Sequence, residues 1–277
     1  AVLKYHLGKK QQLWFGQTKL PGNRERVISS MALQFVDRSN VNSKFNIDRD
    51  FGVQYRLKQN IGEMPVKLAA AITTGEGRNI TANNEMSGMA YTGRVEFYPL
   101  GAFTKKGDYF SADLMREEKG KLAMGATYSY NQNTTRSGGQ LGNFVTSTDT
   151  NGVESYILND MSTLFIDAIY KHDGLSIMGE YATRTLSKDI SGYSSGIGYV
   201  GQVGYLFDNN MEVSGRYTSV DLSKGLGTAS NTTEYTLGLS RYIVGHKLKV
   251  QSDIAYIDSE SATVADYRIR FQVELGI

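Results

Sequence analysis

Basic side chains recur at every second position through long stretches of this chain. Arg56 and Lys58, Lys247 and Lys249, and Arg268 and Arg270 are the clearest pairs. Lys67, Arg94, Lys121, Lys171, Arg184 and Arg216 stand at the same alternating spacing in other stretches. Asp48, Asp50, Glu96, Asp167, Glu180, Glu212, Glu234, Asp253 and Glu274 share that phase, so the basic groups lead only modestly. A guanidinium presents a planar fork that bonds two oxygens of a phosphate or carboxylate at once. Rings of Arg and Lys around a water-filled opening favour anions, and rings of Asp and Glu favour cations. The same charges have a plainer use, pairing across neighbouring strands to stiffen a wall.

Other chemistry has little support. There is no Cys, which removes thiolate metal sites and disulfides. The three His, at positions 6, 172 and 246, lie far apart and show no metal spacing. No Ser–His or Asp–His pair can be brought together by spacing, so no catalytic residues, metal ligands or cofactor are expected and the chain does not read as an enzyme. The Gly-rich GGQLGNF (138–144) lacks the following helix that a phosphate cradle needs. The sequons at 79–81, 133–135 and 231–233 are three-residue matches too short to carry weight by themselves. A net charge of +2 is too small to imply a nucleic-acid partner.

The charges sit on elements of period two. Phe51, Val53, Tyr55 and Leu57 alternate with Gly52, Gln54, Arg56 and Lys58. Tyr267, Ile269, Phe271, Val273 and Leu275 alternate with Arg268, Arg270, Gln272 and Glu274. The pattern recurs in about thirteen stretches, each near the 9–11 residues of a tilted transmembrane strand. The composition, with 18 Tyr, 30 Gly and 3 Pro, is β-rich. The mean hydropathy of −0.35 is that of a soluble protein, but a barrel with a polar interior dilutes its average in the same way. A soluble sandwich or lipocalin would show the same alternation with its faces reversed. The strand number and the aromatic residues near strand ends favour the membrane: Tyr5, Trp14, Phe97, Tyr170, Tyr205, Tyr256 and Tyr267 are expected in interfacial girdles.

The expected architecture is all-β, an antiparallel transmembrane β-barrel in one domain over 1–277. Short connections (GKK, QNIGEMP, KHDG, FDNN, VGHK) alternate with long polar ones after Leu20, Gly75, Tyr130, Leu186, Val220 and Asp258. The stretch 100–120 falls on the short side but is long, and reads as an extended periplasmic turn. Bacterial barrels have an even strand number, so an odd count predicts leading strands before Ala1, about three of them for a barrel of about sixteen.

One segment is more specific. LWFGQTKLPGNRERVISSMALQFVDRSNVNSKFNIDRDFGVQYR resembles the phosphate-selective porin family of Gram-negative outer-membrane proteins. The matching residues are Gly16, Gln17, Lys19, Pro21, Glu25, Ser29, Ser30, Phe35, Arg38, Ser39, Arg49, Asp50, Gly52 and Val53. KLAMGATYSYN (121–131) also looks like a strand of that family, whereas Ile277 stands where such barrels usually end in Phe. The resemblance implies a barrel of about sixteen strands, integral to the outer membrane, with 21–46 folded inward as a constriction loop. That loop carries Arg24, Arg26, Arg38, Lys44 and Arg49. Together with Arg56, Arg94, Arg184, Arg216, Arg268 and Arg270 they are the candidates for pore constriction and anion selectivity. Arg38 and Arg49 could equally pin the loop to the wall through Asp37 or Asp50. The expected function is passive diffusion of small hydrophilic solutes, with preference for anions or phosphate. The alternative is a plugged barrel that serves as scaffold or partner in an outer-membrane complex. Expected partners are outer-membrane lipid and lipopolysaccharide, the solutes, and two further copies in a homotrimer.

Overall fold

The computed structural model describes residues 1–79, 88–223 and 231–276. The sequon at 79–81 lies partly, and Ile277 wholly, outside the described residues. Strands β1 (Val2–His6), β2 (Gln11–Lys19), β3 (Arg49–Ile61), β4 (Met64–Thr73), β5 (Ala90–Phe97) and β6 (Lys121–Thr134) come first. A small hairpin of β7 (Thr146–Thr148) and β8 (Glu154–Tyr156) stands apart from them. Then follow β9 (Asn159–His172), β10 (Leu175–Leu186), β11 (Gly196–Leu206) and β12 (Met211–Leu222). The last three are β13 (Thr232–Val244), β14 (Leu248–Ser259) and β15 (Asp266–Leu275). All except the hairpin form one 13-stranded sheet whose neighbours in space are neighbours in sequence, paired antiparallel. The strand number read from periodicity is therefore the number found. Among the described residues β1 pairs only with β2, and β15 only with β14.

The sheet is inside out by the standards of a water-soluble protein. On β13 the exposed side chains are Tyr235, Leu237 and Leu239, while Glu234, Thr236 and Ser240 are buried. Leu237 is 65% exposed and Glu234 only 2%. Leaving one Leu or Phe in water forfeits about 1.5–3 kcal/mol, and β11, β12 and β15 carry similar exposed rows. Only a hydrocarbon surround removes that cost, which excludes the soluble sandwich. No helix among the described residues is long and apolar enough to span a membrane, so the strands do the spanning. β6 and β9, at 14 residues each, run longer than the span requires.

On the outer face Tyr217, Tyr235, Tyr256 and Tyr267 follow one another across four strands, with ring centroids 5.2, 6.5 and 5.4 Å apart. They form the aromatic belt expected at a membrane interface. Trp14 does not belong to it. Its ring is half-buried on the other face of β2, between the Lys4 ammonium and the Arg56 guanidinium, each 4.1 Å from the ring centroid. Period two gives a residue's face only if the phase is right, and Trp14 has the phase of Gln12, whose side chain accepts its indole N–H.

Two connections turn inward. The first, 20–48, contains the short helices α1 (Arg24–Val27) and α2 (Asn40–Phe45). It touches the inner faces of strands from β6 to β14, so the sheet curves around it. The second is 98–120, from the short-turn end. The extended turn expected there does not stay outside the sheet. It packs Tyr98 and Phe103 against Ile28, Ala32 and Leu33 of the first segment, together with Ala123, Ile169 and Met178 of the wall. A separate socket of Phe165, Ala182, Val200 and Val220 receives Val41 and Phe45 of α2. These wall residues are apolar where the alternation calls for polar, and each sits under an inward segment.

Candidate functional site: the lumenal segments and a basic cavity

Segment 20–48 is fastened to the wall at many points. Asn23 donates to Glu180 Oε1 at 2.8 Å, and the Glu25 backbone N–H donates to Glu180 Oε2 at 3.2 Å. Ser39 caps α2 by accepting from the Asn42 N–H at 3.2 Å, and itself donates to Glu25. At the other end of α2, Arg184 donates to the carbonyls of Lys44 and Phe45 at 2.9 and 2.7 Å, closing acceptors that a helix end leaves unused. Gln34 donates to Glu212 Oε1 and accepts from Gln202, while Lys249 donates to the Leu33 carbonyl.

The densest charge cluster lies at the base of α1. Arg24 reaches Asp167 at 3.0 Å and Glu96 at 2.8 Å; Arg94 reaches the same two carboxylates at 2.6 and 2.9 Å. Burial disfavours the charge on Arg24, but Asp167 and Glu96 outweigh it and raise its pKa, so the guanidinium stays charged in a dry place. The cluster fits because Gly125 faces it: a Cβ there would lie 2.4 Å from the Arg94 guanidinium and 2.7 Å from Asp167.

Segment 98–120 is held as firmly. Lys171 donates to the carbonyls of Gly107, Phe110 and Ala112 at 2.6–2.9 Å. Arg116 donates to Leu206 and Phe207 carbonyls in the β11–β12 turn. Phe110 stacks on His246 with centroids 5.1 Å apart. The two segments bond directly: the Ser111 N–H donates to the Ala32 carbonyl at 2.9 Å. Lys105 and Lys106 are both left-handed (φ 47° and 62°), a conformation that costs a non-glycine residue about 1–2 kcal/mol each. These anchors hold that turn, and it carries Lys106 to the edge of a cavity.

The cavity, about 1050 Å³, lies along the inner face of β2–β5 and between the two segments. Of the candidates read from sequence, Arg49, Arg56 and Arg94 line it. Lys19, Lys58, Lys67 and Lys106 line it too. Its carboxylates include Glu96, held by two arginines, and Asp108, which accepts from Lys67 at 2.7 Å. Lys58 and Lys67 stand directly opposite each other on adjacent strands, a pairing that is unfavourable between like charges.

The other candidates lie elsewhere. Arg24 is closed off in its cluster, and Arg26 pairs with Asp48. Arg38 donates its guanidinium N–H groups to the carbonyls of Glu25 and Ile28 and its backbone N–H to Asp37, so it ties the segment to itself rather than to the wall. Arg49 approaches Asp48 at 3.7 Å; Asp50 instead accepts from Thr74 and the Gly75 N–H. Lys44 is exposed on α2. Arg184 is spent on α2, and Arg216 lies between Glu25 and Glu234. Arg268 pairs with Glu234, and Arg270 makes a two-pronged contact with Asp253. Sequence reading missed Lys106 because nothing in a turn sequence shows an inward fold. It missed Trp14 as an inward-facing residue because aromatic type alone does not give the face of the strand. Among the described residues no group of His, Asp and Glu is placed to hold a metal.

Comparison with known proteins agrees with this architecture. Among curated proteins none matches the sequence significantly. Among solved structures, a loop-L8 deletion mutant of OmpT, an outer-membrane protein of Vibrio cholerae, superposes with a TM-score of 0.54 at 11% identity, covering 97% of this chain and 76% of that one. OprB of Pseudomonas putida gives 0.54 at 12% identity, covering 97% and 69%. At such identities the likeness is one of fold, the antiparallel sheet of outer-membrane β-barrels. The family model for phosphate-selective porin O and P matches residues 1–273. The chain is a passive-diffusion porin of the outer membrane and belongs to the phosphate-selective porin O and P family.

Proposed function

We propose that solutes pass along the β2–β5 side of the interior, through the basic cavity, and that the pore prefers anions, phosphate among them. Segment 20–48 sets the width there, with 98–120 as its counterpart from the other end. The observation that carries this reading is the charge of the cavity. Lys58 opposes Lys67, Arg56 and Lys106 stand nearby, and Glu96 and Asp108 are already engaged by cations. A low-dielectric wall around such a set raises the local concentration of anions. The mechanism is passive, with width and field setting the flux. Association as a homotrimer within lipid and lipopolysaccharide belongs to the same proposal and rests on the family alone; crosslinking of detergent-extracted protein tests it.

Single-channel conductance across a salt gradient tests the preference. The expected reversal potential favours chloride, and added phosphate reduces the current. A reversal potential on the cation side overturns the anion preference. Folded protein that does not conduct would return the reading of a plugged scaffold barrel.

A further inference from the structure

The cavity wall is not only basic. Trp14 and Tyr109 line it, and each ring has a cation beside it. Lys4 and Arg56 lie against Trp14, and the Lys67 ammonium lies 4.8 Å from the centroid of Tyr109. An inorganic anion has no use for these rings, and a hydrated ion gains nothing from an apolar surface. Cations and aromatic faces side by side match a solute that has both an anionic group and a flat apolar body.

We propose that the cavity beside Trp14 binds organic anions of this kind, such as aryl phosphates and aryl carboxylates, more tightly than inorganic phosphate. The proposal rests on the anion-preferring reading above and deepens it. Arg56 and Lys58, two residues apart on β3 and on the same face, receive the anionic group, and Arg56 suits it through its planar fork. The apolar body lies on Trp14. Lys4 is exposed, so its contact with the ring is exchangeable: the ammonium leaves the ring face and turns to the anion. The indole stays oriented by its hydrogen bond to Gln12 at 3.0 Å.

Trp14 is the only tryptophan of the chain, so its fluorescence reports this site alone. The experiment titrates the full chain in detergent with phenyl phosphate, inorganic phosphate and uncharged benzyl alcohol, and repeats the titration as current block in a bilayer. Phenyl phosphate is expected to change the Trp14 emission saturably, with about tenfold higher affinity than inorganic phosphate, the scale of one aromatic contact. Trp14→Leu is expected to remove that advantage in current block and leave inorganic phosphate unaffected, while Trp14→Phe keeps most of it. Equal affinity for the two phosphates overturns the proposal, and so does equal affinity for benzyl alcohol and phenyl phosphate. If the channel proves cation-selective while phenyl phosphate still perturbs Trp14, the porin preference fails and the site stands. If the reversal potential favours anions and Trp14 does not respond, the site fails and the preference stands.

Discussion

Arg24 of the inward segment and Asp167 of β9 meet at 3.0 Å with both side chains closed to solvent. Arg94 meets the same carboxylate at 2.6 Å from the other side. A residue that by charge alone would be counted among the anion-selecting groups is thus a fastener between loop and wall.

Its removal should show as loosening of the interior. Arg24→Met leaves two buried carboxylates sharing one arginine, and breaking a buried ion pair typically costs about 3–5 kcal/mol. We expect trypsin to cleave within 20–48 in the variant, at a lower temperature than in the parent, with unchanged β-sheet circular dichroism. Unchanged resistance to trypsin would mean that the ion cluster does not anchor the segment.

Gly198 gives a steric version of the same test. A Cβ there would lie 2.8 Å from the Phe45 ring and 3.0 Å from Val41. Gly198→Leu should therefore push α2 from its socket, at about 1–3 kcal/mol for overpacking. Gly93 has nothing within 4 Å of its added Cβ, so Gly93→Ala should stay within about 0.5 kcal/mol of the parent. Thermal unfolding followed by gel mobility compares the two.

Changes of charge separate lining residues from fasteners. Lys58→Glu should move the reversal potential toward the cation side by removing a cavity charge and adding an opposite one. Arg184→Gln should leave the reversal potential nearly unchanged and lower stability, since that guanidinium serves the carbonyls of α2. Equal shifts in the two variants would contradict the division drawn between them.

Acid should act on the short-turn end through His246. Burial, then Lys249 and Lys171, lowers its pKa to about 3, against about 6.5 in an unfolded chain. Between those values the unfolded chain holds the extra proton, so stability is complete above about pH 6.5 and falls as pH drops toward 3. Hydrogen exchange at 105–112, where Phe110 stacks on this ring, should quicken between pH 7 and pH 5 after correction for intrinsic rates. His246→Phe should abolish that dependence.

The strands were legible because a sheet with lipid on one side and polar groups on the other writes period two into every strand, as Tyr235, Leu237 and Leu239 show against Glu234 and Thr236. The destination of each charge was not legible. Arg94 and Arg184 share the inward phase, yet one lines the cavity as well as a buried cluster and the other holds a helix end. Which partner a guanidinium finds depends on segments far away in sequence. A clue was present in Phe165, Val200 and Val220, apolar residues in the polar phase: each marks where something apolar must dock from inside. The inward fold of 98–120 left a similar trace in Ala123, Ile169 and Met178.

The partners of segment 20–48 also fix the timing of assembly. Arg24 bonds a residue 143 positions later, Gln34 one 178 positions later, and Val36 one 217 positions later. Contacts so distant in sequence form slowly, since much chain must be ordered before they repay its ordering. The segment precedes these partners in the chain and can lock only when β9–β14 stand in place. Until then its arginines remain hydrated and its helices unsupported. The segment proposed to narrow the pore is thus the last part to acquire its shape, and substitutions at its anchors should speed release of the interior more than they slow formation of the sheet.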